Sequence, residues 1–328
     1  MITFPTFVSL LAACVLSTQV ASGLDAKIGV HDPSSIIKCD GNYYLFGTGR
    51  GISILTSKDA ITWERSGRVF ERIPETVKSY VPKNDGVDVW APEIIHLNGQ
   101  YLLYYSVSTW GAIPSAIGLV TSPTLNPKAP NYKWTDRGMI VHSAEGQHFN
   151  AIDPGIVQGP DGRLWLCYGS YLGTIELVEL NPKTGLRISA TSPVVSIASQ
   201  SEAANLIYRN GFYYLFVNHG TCCAGVKSTY HILVGRAKNV TGPYLDRDGD
   251  DLKLGAGTMF LASSNGKIGP GHFSRFSDNG VEKFSIHYEG ELGVRRPPFL
   301  AILPLFWSRD GWPVADQDIK AKTHRITP

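Results

Sequence analysis

One short pattern recurs five times along these 328 residues and constrains the fold more than any other feature. Its fullest form is Ser201-Glu-Ala-Ala-Asn-Leu-Ile-Tyr-Arg-Asn-Gly-Phe-Tyr-Tyr-Leu-Phe-Val217, a carboxylate, an apolar run, a turn and an aromatic strand. Asn210-Gly211 between two apolar runs is a hairpin signal, because a tight two-residue turn needs two residues that tolerate positive φ. His31-Asp-Pro-Ser-Ser-Ile-Ile-Lys-Cys-Asp-Gly41 and Ile152-Asp-Pro-Gly-Ile-Val-Gln-Gly-Pro-Asp-Gly162 repeat it. Asp32, Asp153 and Glu202 each stand nine residues before their turn glycine. Trp90-Ala-Pro-Glu-Ile-Ile-His-Leu-Asn-Gly99 puts Trp90 at that position, and Gly269-Pro-Gly-His272, ahead of Gly280, puts His272 one place along.

The turn glycines 41, 99, 162, 211 and 280 are 58, 63, 49 and 69 residues apart. A repeat of that length built from strands and turns is the mark of a propeller. The expectation is an all-β fold, a single five-bladed β-propeller over residues 22–328, with about four short strands per blade. Inner strands of a propeller surround one axis, so a repeated register becomes one ring of side chains. Asp32, Trp90, Asp153, Glu202 and His272 are thereby expected together.

Composition agrees with this. Thirty-four glycines and 20 prolines suit many tight turns, and 43% hydrophobic residues with 15 tyrosines and 7 tryptophans can fill a large core. The net charge of +2 is dispersed, which argues against nucleic acid, an anionic membrane or a polyanionic substrate. Residues 1–21 read as a secretory signal peptide, since Phe7-Val-Ser-Leu-Leu-Ala-Ala-Cys-Val-Leu16 is apolar but too short to span a bilayer. A secreted, extracellular, monomeric protein is expected. Asn239-Val-Thr241 is then a glycosylation sequon beside a Gly-Pro turn.

Several motifs carry less. Gly47-Thr-Gly-Arg-Gly51 has no helix after it and reads as a strand-joining turn rather than a phosphate loop. Asp246-Arg-Asp-Gly-Asp-Asp251 lacks the spacing of a calcium-binding loop and reads as a polar turn. Cys39 and Cys167 read as buried thiols. The adjacent pair Cys222-Cys223 is expected to be joined in a vicinal disulfide, given an oxidising compartment.

A ring of carboxylates with aromatic walls suits glycoside hydrolysis. That reaction needs one protonated acid at the leaving oxygen and one ionised acid to activate water. Trp90 and Trp110 could stack on sugar rings. Asp-Pro turn capping would explain Asp32 or Asp153 singly, but not their shared register with Glu202. A carbohydrate-binding propeller without chemistry would use the same aromatics and would not need three acids.

His31-Asp-Pro-Ser, Trp90-Ala-Pro-Glu93, Ser115-Ala-Ile-Gly118, Asn150-Ala-Ile-Asp-Pro154, Ser201-Glu-Ala and Gly269-Pro-Gly-His272 together resemble the motif set of glycoside hydrolase family 43, in particular its secreted arabinan endo-1,5-α-L-arabinosidases. The resemblance spans the chain from about residue 22 and implies a five-bladed propeller that hydrolyses arabinan with inversion. It implies Asp32 as general base, Glu202 as general acid and Asp153 as the acid that modulates and orients Glu202. It also implies substrate contacts at Trp90, Trp110, Gly111, Asn150 and Ser170, and a water-held calcium ion with His272 as protein ligand. An exo-acting arabinofuranosidase or β-xylosidase on the same propeller is the alternative. The absence of any long insertion to wall off one end of the site favours the endo reading.

Overall fold

The structure, a computed structural model, describes residues 24–264, 266–290 and 298–315. The expected leader, residues 1–21, lies outside them. Five four-stranded antiparallel sheets form the blades, and the second gains a short inner strand at Gly49–Arg50. Their innermost strands are Ile37–Cys39, Asp88–Leu97, Gly155–Gln158, Glu202–Arg209 and Gly271–Asp278. Each is followed by the aromatic strand of its repeated hairpin: Asn42–Gly47, Gln100–Val107, Leu164–Tyr168, Phe212–His219 and Val281–Tyr288.

Four of the five hairpins turn as the residues dictate. Asp40-Gly41, Asn98-Gly99, Asn210-Gly211 and Asn279-Gly280 all have positive φ at both positions, the geometry that matches the natural twist of paired strands. The third differs: Gly159 and Arg163 close a wider loop through Gly159 N–H to Arg163 O, and only Gly162 has positive φ.

Alternate residues along each aromatic strand point to opposite faces of its blade, so each blade feeds two cores. Leu103 and Tyr105 pack towards blade one with Phe46 and Ile52, whereas Leu102 and Tyr104 pack towards blade three with Leu166 and Tyr168. Three further clusters join blades three and four (Cys167, Leu215), four and five (Phe216, Phe284), and five and one (Ile302, Leu45). Five interfaces thus close one ring. Burying a Leu or Phe in such a core contributes about 1.5–3 kcal/mol.

The strand ahead of the first repeat does not join the sheet of blade one. Strand Leu24–Gly29 instead pairs antiparallel with Phe299–Pro304 and is the outer strand of blade five. One blade built from both ends of the chain locks the circle by hydrogen bonds, which packing between complete blades could not do. The outer strand of blade two is Thr135–Ser143.

The minor readings hold. Gly49–Arg50 pairs with Asp88 and Val89 as a strand junction. Asp246 accepts hydrogen bonds from the backbone N–H of Asp248, Asp250 and Gly257, so the acidic run is a polar turn. Cys39 and Cys167 are buried. Asn239 is exposed in its turn. No helix among the described residues is long and apolar enough to cross a membrane.

Candidate active site

The five inner strands share a backbone device at one end. Asp32, Ala91, Asp153, Ala203 and His272 all adopt positive φ, between 42° and 58°. This conformation is costly for residues with a Cβ and persists only where surroundings enforce it. The enforcement comes each time from the preceding blade. Asp32 N–H donates to His287 Nδ1 (3.1 Å), Ala91 N–H to Thr48 Oγ1 (2.8 Å), Asp153 N–H to Ser106 Oγ (3.0 Å) and His272 N–H to Asn218 Oδ1 (2.9 Å). In the remaining blade, Ala203 N–H donates to the carboxylate of Asp153 (3.1 Å). The strand register also shifts just after Trp90, Glu202 and Gly271, so bulges turn these side chains towards the axis. Backbone conformation therefore aligns His272 with Asp32 and Asp153. Glu202 stands one residue earlier, with a side chain one methylene longer.

These bulges line a cavity of about 200 Å³ containing Asp32, Trp90, Trp110, Asp153, Glu202 and His272, together with His31, Thr48, Cys222, Cys223 and Tyr230. Two larger cavities, of about 490 and 370 Å³, lie beside Phe212 and Trp312 and around Glu93 near the axis. Only the smallest of these three gathers three acids, and chemistry rather than size marks it as the site.

The acids differ in charge. Burial works to raise Asp32, but His31, His272 and His287 outweigh it and hold its carboxyl well below the usual range. His31 matters most, because its Nδ1 lies 2.7 Å from Asp32 Oδ2 and its own pKa is pushed well up despite burial. His272 and His287 are driven down by burial and stay neutral near pH 7, so neither balances the charge of Asp32 as His31 does, and His287 Nδ1 is taken up as the acceptor of the Asp32 N–H. The His31 contact is close but poorly angled, and Nδ1 counts among the buried atoms without an aligned hydrogen-bond partner. Thr48 Oγ1 donates to Asp32 Oδ2 at 2.5 Å and fixes the carboxylate.

Glu202 is pushed up to about 7, first by burial and then by the charge of Asp32, against a hydrogen bond of 2.7 Å from Tyr230 OH. Asp153 is also raised, by burial, then by Glu202 and by Asp32. The result is one acid held ionised beside Glu202, which keeps its proton up to about pH 7, the separation of roles that acid–base chemistry requires. Trp90 and Trp110 meet edge to face at 6.3 Å, and Trp110 is 78% exposed at the rim.

Against known proteins, residues 27–313 match the family model described as "Glycosyl hydrolases family 43". The chain belongs to glycoside hydrolase family 43. It is 37% identical over 324 residues to an extracellular exo-α-(1→5)-L-arabinofuranosidase of Cellvibrio japonicus, covering 94% of this chain and 92% of that one. It is also 37% identical over 318 residues to an extracellular endo-α-(1→5)-L-arabinanase of Bacillus subtilis, covering 92% and 94%. The solved α-L-arabinanase of Cellvibrio cellulosa with arabinohexaose superposes with a TM-score of 0.83 at 36% identity, over 88% of this chain and 96% of that one.

In this family 43 propeller the cavity gathers six of the nine side chains singled out in the sequence. Gly111 is exposed beyond it, with open space where a Cβ would stand. Asn150 and Ser170 are buried and joined by a 3.1 Å hydrogen bond, and Asn150 Oδ1 lacks a partner among the described residues. The sequence reading gave no role to Thr48, Tyr230, His31 or His287. Only His31, adjacent to Asp32, carried a local signal. The expected Cys222–Cys223 bridge is absent: both are free thiols, and both sulfurs also stand within 3.6 Å of His31 Nε2.

His272 is buried, with Nδ1 3.5 Å from Asp32 Oδ1. One neutral imidazole beside a carboxylate already held by Thr48 fits a cation bound mostly through water rather than an all-protein cage.

Proposed function

We propose that this chain is a secreted, monomeric, inverting endo-arabinanase that cleaves internal α-1,5-L-arabinofuranosidic bonds. The observation that carries the reading is the contrast in one cavity between ionised Asp32 and protonated Glu202. Asp32 takes a proton from water while the water oxygen bonds to the anomeric carbon. The glycosidic bond breaks, and Glu202 gives its proton to the departing oxygen. Asp153, bonded to Ala203 N–H, sets the bulge from which Glu202 projects and is the orienting acid. Trp90 and Trp110 stack on furanose rings, while Gly111, Asn150 and Ser170 shape the outer subsites. His272 would hold a calcium ion, which supplies positive charge to the floor of the site when bound. Asn239 is open to glycosylation.

The exo reading has the Cellvibrio japonicus relative in its favour. Product size separates the two. Debranched arabinan should lose viscosity early and release oligosaccharides; arabinose or one short product alone, at constant viscosity, would establish exo action.

A further inference from the structure

Lining the same cavity, His31, Cys222 and Cys223 form a second constellation, of which the hydrolytic reading uses only His31. Their ligating atoms lie within 4.8 Å of one another. His31 Nε2 is 3.6 Å from Cys222 Sγ and 3.5 Å from Cys223 Sγ. One ring nitrogen cannot serve two thiols as a well-made hydrogen-bond partner. A cation between the three can serve all of them. Zinc bond lengths of about 2.0 Å to imidazole and about 2.3 Å to thiolate, at a tetrahedral angle, separate nitrogen and sulfur by about 3.5 Å. Both sulfurs already stand at that spacing from the ring nitrogen.

The supporting contacts have the same character. His31 turns its other nitrogen, Nδ1, to within 2.7 Å of Asp32, so a carboxylate stands behind the ring, as it does behind metal-bound imidazoles, without being aligned for a hydrogen bond. Cys223 has φ of 63°, and its N–H donates to Glu289 at 2.5 Å. Gly225 N–H donates to the same carboxylate, which holds the cysteine turn against the cavity. Cys223 is exposed, leaving a coordination position open to water.

We propose that His31, Cys222 and Cys223 form a capture site for a thiophilic divalent cation of the zinc and cadmium class, and that its occupation shuts off hydrolysis. The ion displaces the proton of each thiol and the Nε2 proton of His31 to solvent, and binds the two thiolates and the neutral imidazole through Nε2. His31 can then no longer supply a positive charge to Asp32, and the ion takes up part of the cavity that both line. Capture of the ion stands on this geometry alone, whereas the inhibition rests on the role proposed for Asp32.

The test titrates the whole secreted enzyme with Cd²⁺ after reduction by a phosphine and removal of the reductant. Cadmium–thiolate ultraviolet absorption should rise to one ion per chain in step with loss of arabinan hydrolysis, and a dithiol chelator should reverse both. Cys222→Ser and Cys223→Ser should each lose most of the absorption and need at least about 10-fold more Cd²⁺ for half-inhibition. A reduced enzyme without the absorption overturns the site, as does equal absorption in the two variants. Full absorption with undiminished hydrolysis keeps the site and overturns the inhibition. The wild-type titration decides the matter even if a variant fails to fold.

Discussion

At the scale of residues, the account turns on what burial does to three acids. Glu202→Gln and Asp32→Asn should each lower kcat by about 10²–10⁴-fold while leaving the fold intact. Glu202 also makes stability depend on pH. Its folded pKa, about 7, stands above its ordinary 4.5, so its contribution is complete below 4.5 and is lost as pH rises through 7. Glu202→Gln should therefore melt above wild type at pH 8 and level with it near pH 4. A variant equally stable at both would remove the buried-acid assignment. Tyr230 gives a finer test, because its hydrogen bond lowers Glu202. Tyr230→Phe should move the alkaline limb of the kcat/KM profile to higher pH, and a shift towards acid would contradict the assigned direction.

At the scale of elements, the hairpins were legible because turn chemistry and aromatic strands are local. Asp32, Asp153 and Glu202 were legible because each sits in the repeated register. The braces were not. His287, Thr48, Ser106 and Asn218 each catch an N–H from the next blade, and no local pattern relates them to a residue tens to hundreds of positions away. Nor does sequence disclose that Ala203 uses Asp153 for the same purpose. Two glycines separate hairpin from site. Gly211 has φ of +83° and open space around a would-be Cβ, so Gly211→Ala should cost about 1–2 kcal/mol of stability and little activity. At Gly271 a Cβ would stand 2.1 Å from Tyr230 Cε1, so Gly271→Ala should displace Tyr230 and reduce kcat. Melting curves and rates on both variants check this, and a wild-type rate for Gly271→Ala would count against the role of Tyr230.

At the scale of the whole molecule, five interfaces and one shared blade make the acids a property of the closed ring. Closure through Leu24–Gly29 was hidden in the sequence, since that strand carries no copy of the repeat and its partner lies 270 residues away or more. The calcium proposed at His272 belongs to this scale too. Exhaustive chelation or His272→Ala should reduce rate or melting temperature partially, by less than Glu202→Gln reduces rate; a metal-free enzyme with both unchanged would remove the ion from the account. The central claim is that Asp32 activates water rather than attacking the sugar. Proton NMR of the first product from an α-1,5-linked arabino-oligosaccharide, read before mutarotation, tests it most directly. The account predicts the β anomer at the new reducing end, and the α anomer appearing first would contradict it.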